Sequence, residues 1–117
     1  MRFRLALSAA ALPLMLAAPA ALAQDRATTA IASRDFATAE SLLQNKLRKN
    51  PGQPELLLNL AAVYIGTGRE AEARSLYAEV LRQREVLMDV SQTRSLGSHA
   101  VAMNGLKRLQ ANQLSAR

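Results

Sequence analysis

Side chains with intrinsic reactivity are scarce in this chain, and their spacing excludes most chemistry. There is one histidine, His99, and no cysteine. Ser98 and His99 are adjacent, but neighbouring residues at a helix start point in different directions and do not form a nucleophile, base and acid set. No group of carboxylates or histidines has the spacing of a metal site, and thiolate ligands are absent. Gly66-x-Gly68 follows a helical stretch and lacks both the strand-to-helix setting and the lysine of a phosphate loop. The expectation is a non-enzymatic protein with no catalytic residue, no metal ligand and no cofactor.

What remains is the chemistry of binding. Leu58, Ala62 and Ile65 recur at helical spacing as an apolar strip, with Asn59 beside them. Left uncovered, such a strip takes a partner helix or an extended peptide; covered by the C-terminal segment, it is core. The second feature is a basic tail, where Arg94, Lys107, Arg108 and Arg117 face Asp89 as the single acid. Those bases suit either a solvated helix end or contact with an anionic surface. Nucleic acid is not an expected partner, because the bases are dispersed and aromatic residues make up 3% of the chain.

The elements that position these residues read as helices throughout. Ala, Leu, Glu, Arg and Gln dominate, and no stretch alternates with the period of a strand. The clearest helix spans residues 54–65: Pro54 suits the first helical position, Glu55 the positive end of the dipole, and Gly66 and Gly68 the stop. Leu57, Leu60, Ala61 and Tyr64 share its packed face. A second helix from Glu70 places Ala73, Leu76, Tyr77, Val80 and Leu81 inward and Arg74 toward water; the short link between the two makes an antiparallel pair. Upstream, residues 36–48 form a helix capped by Asp35, with Phe36, Ala39, Leu43 and Leu47 inward and Asn50-Pro51-Gly52 ending it. A shorter helix over residues 25–32 precedes it. Residues 88–97, rich in Ser, Thr, Gln and Gly, read as a loop. Ser98 then caps a last helix with Ala102, Met103, Leu106 and Leu109 on one face.

Aligning Ala39-x3-Leu43 with Ala73-x3-Tyr77 superposes two helix–turn–helix units thirty-four residues apart. The second unit resembles the tetratricopeptide repeat family, through Leu57-x2-Leu60-Ala61-x2-Tyr64 followed by Ala73 and Tyr77. The first unit keeps Ala27, Phe36, Ala39, Leu43 and Pro51 with a truncated first helix. Leu57 stands at the family's opening aromatic position, Glu85 at its closing proline and Lys46 at a usually apolar site. The resemblance implies an all-α fold of antiparallel helix hairpins, about two repeats, closed by a C-terminal capping helix. It also implies that Ala61, Ala73, Tyr64 and Tyr77 are structural, and that a protein or peptide partner binds along the first helices.

The chain opens with an export-like segment. Arg2 and Arg4 precede an apolar run over residues 5–23 that ends in Ala21-Leu22-Ala23, the charge, apolar middle and small-residue ending of a secretory signal peptide. Cleavage is expected after Ala23, delivering the protein to a bacterial periplasm. An inner-membrane anchor is the alternative, since about 20 apolar residues span a bilayer; weakly apolar alanine, Pro13 and Pro19 favour cleavage. Of fifteen bases and nine acids, removal of Arg2 and Arg4 leaves thirteen and nine, a net charge of +4. The expected organisation is a signal peptide over 1–23, a repeat domain over 24–87, a loop over 88–97, and a capping helix and tail over 98–117.

Three roles fit this reading: a protein-interaction module of the periplasm or envelope, a homo-oligomer whose copies complete each other's core, and a peripheral envelope binder using the basic tail. Membrane contact is expected only through an uncleaved signal or weak electrostatics. Mass spectrometry of envelope extracts should find a mature N-terminus at Gln24; an intact Met1 as the main species would remove the basis for export.

Overall fold

A computed structural model describes residues 19–91 and 93–116 as five helices and a two-stranded β-hairpin. In chain order these are α1 (Pro19–Ala32), α2 (Phe36–Lys49), α3 (Pro54–Gly66), α4 (Glu70–Arg82), β1 (Leu87–Ser91), β2 (Arg94–Gly97) and α5 (Ser98–Ser115). Each helix packs on the next, and α5 also reaches α3 and β2. Most of the export-like segment lies outside the described residues. The expected processing point after Ala23 falls within α1, which starts at Pro19 and is therefore a full-length first helix rather than a truncated one.

Local chemistry accounts for the helix ends. The Asp35 carboxylate accepts from the Thr38 N–H at 3.3 Å and caps α2, while Lys46, Arg48 and Lys49 lie at its negative end. Pro54 opens α3, and Glu55 occupies its first turn. At the end of α3 the Arg69 N–H donates to the Tyr64 carbonyl and the Gly68 N–H to Ile65, with Gly68 at φ 75°. This is a left-handed cap closed by two nested backbone bonds. The same two bonds recur thirty-four residues earlier, from Asp35 to Ala30 and from Arg34 to Ile31. Arg34 stands in the glycine's place, at φ 63°.

Two apolar clusters share α3. On one side Leu56, Leu60 and Val63 pack with Ala27, Ala30, Ala39 and Leu43 of α1 and α2. On the other, Leu57, Leu58 and Ala61 pack with Ala73, Tyr77 and Val80 of α4 and Ala102 and Leu109 of α5. Ala39, Ala61 and Ala73 are fully buried, so methyl groups set the distance between helix axes. Across the helical hairpins, Arg69 grips Glu40 with two parallel bonds of 2.9 and 2.6 Å. Its guanidinium also lies 4.4 Å from the Tyr64 ring centre, and it holds the Glu40 carboxyl below its ordinary range chiefly through the hydrogen bond.

Several expectations change. Residues 88–97 are no loop: Leu87 pairs with Gly97, Met88 with Leu96 and Asp89 with Ser95 in an antiparallel β-hairpin, with an irregularity at Val90. Half-buried Met88 anchors it to the second cluster. Ser98 is not the cap of α5, a position held by Gly97. It is instead a buried first-turn residue whose hydroxyl accepts from the Val86 N–H at 2.9 Å, while its own N–H donates to the Val86 carbonyl at 2.8 Å. Met103 turns outward, 49% exposed, because the inner face of α5 runs through Ser98, Ala102, Gly105 and Leu109, the i, i+4, i+7 and i+11 positions. Arg74 is half-buried rather than solvated, with one guanidinium nitrogen left without a hydrogen-bond partner.

The aromatic rings choose their neighbours by size. A Cβ on Gly66 would strike the Phe36 ring, and a Cβ on Gly105 would strike the Tyr77 ring. Replacing a helix-interior glycine by alanine ordinarily stabilises by about 1 kcal/mol. For Gly105→Ala the sign should reverse to a net loss of about 1–2 kcal/mol, because the buried Tyr77 ring must move. Thermal melts of Gly105→Ala against wild type check this, and a stabilised variant would place the ring elsewhere.

Candidate protein-binding site

The apolar strip foreseen on α3 divides when α5 docks. Leu58 is 7% exposed and belongs to the core beneath α5, so it is not part of an open groove. Asn59 is half-buried and lies outside the cavity described next. Ala62 is exposed and Ile65 half-buried, and these two form one wall of a cavity of about 430 Å³. The facing wall is α5, through Val101, Leu109 and a polar row of Asn104, Arg108 and Asn112. The β-hairpin contributes Val90 and Leu96.

Sequence reasoning missed most of this chamber. Asn104, Arg108 and Asn112 follow each other at i, i+4 and i+8, one line along a helix, and that spacing was legible. What the sequence did not display was the β-hairpin that supplies Val90 and Leu96, since Leu87-Met88-Asp89-Val90 alternates too weakly to declare a strand.

The chamber is electrostatically one-sided. No carboxylate lines it. Burial pushes the Tyr77 phenol above its ordinary range, and the charge of Arg108 works against that shift. An apolar lining with amides and one cation can hold an apolar side chain while satisfying polar atoms at its mouth.

The other bases do not gather there. Arg94 is exposed on β2 and Lys107 exposed on α5, neither of them lining the cavity, and Arg117 lies outside the described residues. Ser98 and His99 do not pair for catalysis: Ser98 binds Val86, and His99 Nε2 lies 2.7 Å from the Gln83 carbonyl oxygen at the end of α4. Among the described residues no three His, Cys, Asp or Glu side chains converge as metal ligands, and no helix is long and apolar enough to cross a membrane.

Burial separates neighbours on the same helix. Leu58→Ala should cost about 2–5 kcal/mol, the range for a leucine removed from a packed core. Ala62→Ser should stay within about half a kcal/mol of wild type. Denaturant titrations check the pair, and equal effects would mean that α3 is rotated from the orientation described.

Residues 30–86, from the last turn of α1 to the end of the segment after α4, match the family model described as tetratricopeptide repeat. No curated protein and no solved structure matches the chain. Repeats of this kind generally mediate protein–protein interaction and are typically non-catalytic. The thirty-four-residue recurrence of helices, left-handed caps and buried alanines is that of the segment 30–86, which belongs to the tetratricopeptide repeat family.

Proposed function

We propose that the chain is a non-catalytic protein-binding module of the bacterial periplasm or cell envelope, acting as a scaffold or adaptor through the chamber between α3, α5 and the β-hairpin. The observation that carries this reading is the chamber's composition. Ala62, Ile65 and Val101 offer apolar surface with Val90 and Leu96 of the β-hairpin, and Asn104, Arg108 and Asn112 supply donors beside it. The periplasmic part rests on Arg2, Arg4 and the apolar run ending at Ala23.

The test is crosslinking in intact cells with wild type and Ala62→Arg. An arginine at this exposed position adds bulk and a second cation opposite Arg108, and a charge cannot be desolvated cheaply inside a partner contact. Helical signal and melting temperature should stay near wild type while the crosslinked partner disappears. A folded variant that keeps the same partner would move recognition away from the chamber.

A further inference from the structure

We propose that the outer face of α5 is a second binding site, one that docks a partner's helix carrying an apolar strip with an acidic residue at its middle. Position around the helix carries the first argument. The inner face of α5 holds Ser98, Ala102 and Leu109, all buried. Ala100 and Ala111 lie two residues beyond Ser98 and Leu109, about 200° around the helix. With Met103, Lys107 and Leu114 they form a line of exposed residues on the opposite face. Met103 is 49% and Leu114 65% exposed, two of the five large hydrophobic residues exposed among the described residues. α5 packs on α4, α3 and β2, and the line stays open to water.

Spacing carries the second. The five residues step by three, four, four and three, so Leu114 follows Ala100 by fourteen residues in four steps, an average of 3.5. That average is the period of a seam between two helices, narrower than the stripe by which a helix joins a globular core. The occupant is therefore a single helix. An extended segment takes its hold from unpaired backbone groups, and a continuous helix offers none along its middle. A bilayer surface suits a helix with a broad face of large apolar residues, whereas here Met103 and Leu114 stand between alanines.

Charge fixes the chemistry of that helix. Lys107, the middle residue of the strip, is exposed and makes no hydrogen bond or ion pair among the described residues. α5 contains no Asp or Glu, and the neighbouring Arg108 is a second exposed cation. A lysine at one seam position selects the partner at a cost in stability, and the residue that answers it is Asp or Glu. A second copy of this chain answers it badly. The strip is symmetric about its middle, so full overlap in either direction brings two Lys107 ammonium groups together with no acid on either helix. Like charges placed in this way oppose association.

The probes are two labelled peptides as long as α5, 18 residues, built from Ala and Gln with Leu at the four apolar steps and either Glu or Lys at the middle one. They are titrated by fluorescence anisotropy into the purified protein. The Glu peptide should bind at least about tenfold more tightly than the Lys peptide, and added salt should narrow the difference. Lys107→Glu, at an exposed position, should reverse the preference. Met103→Ser and Leu114→Ser should each weaken the Glu peptide at least about fivefold with melting temperature unchanged. Ala62→Arg alters the chamber, which none of the strip residues lines, and should bind the Glu peptide as wild type does. The proposal is overturned by equal binding of the two peptides, by no binding of the Glu peptide at millimolar concentration, by an unchanged preference in Lys107→Glu, or by loss of binding in Ala62→Arg. Sedimentation showing a dimer that Met103→Ser abolishes would overturn it in favour of a second copy. Binding to vesicles of phosphatidylcholine and phosphatidylglycerol that Met103→Ser abolishes would overturn it in favour of a lipid surface.

Discussion

The whole arrangement depends on α3 being apolar around almost its entire circumference. Leu56, Leu60 and Val63 face α1 and α2, while Leu57, Leu58 and Ala61 face α4 and α5. A helix of this kind cannot be satisfied by one neighbour, since an apolar surface left in water costs roughly 25 cal/mol per Å². The two helical hairpins therefore meet at a common member, and the buried alanines on α2, α3 and α4 let the axes come close enough to exclude water. The Glu40–Arg69 pair and its stacking on Tyr64 lie at the margin of that junction. They fix the turn between α3 and α4 against α2, and burial of α3 does the holding.

Much of this was legible beforehand, because the repeat writes its geometry into spacing. Ala39 and Ala73, Leu43 and Tyr77, Asp35 as a cap and Pro54 at a helix start all lie where periodicity and end chemistry put them. The failures share a cause, which is that one residue pattern satisfies two physical demands. The first helix begins at Pro19 rather than near residue 25, because alanines are good helix formers whatever else they do. Leu58 reads equally as groove and as core until the docking of α5 decides. Met103 leaves its expected side because Ser98, drawn to Val86, sets the rotation of α5. Long-range contacts of this sort leave no local mark.

The β-hairpin changes what the repeat stack can do. Ser98 begins α5 forty-four residues after Pro54 begins α3, so the inserted strands account for the ten residues by which α5 departs from the thirty-four-residue period. In exchange the chain gains a wall for the chamber, in Val90 and Leu96, and a free strand edge beside the start of α3. Loops and insertions carried on a rigid scaffold are common places for recognition. Here one insertion shapes two surfaces, the chamber beside Arg108 and the trough between β1 and the start of α3.

The left-handed cap at Arg34 has an energetic meaning of its own. Gly68 takes the same turn without a Cβ, whereas Arg34 adopts it at a cost of roughly 1–2 kcal/mol. The guanidinium lies 5.8 Å from the Phe36 ring centre, a contact that returns about 0.5–1 kcal/mol at an exposed site. Two turns of identical shape thus rest on unequal footings, one relaxed and one held by what surrounds it. A stack built this way has a soft end and a firm end, and thermal opening should travel from α1 inward.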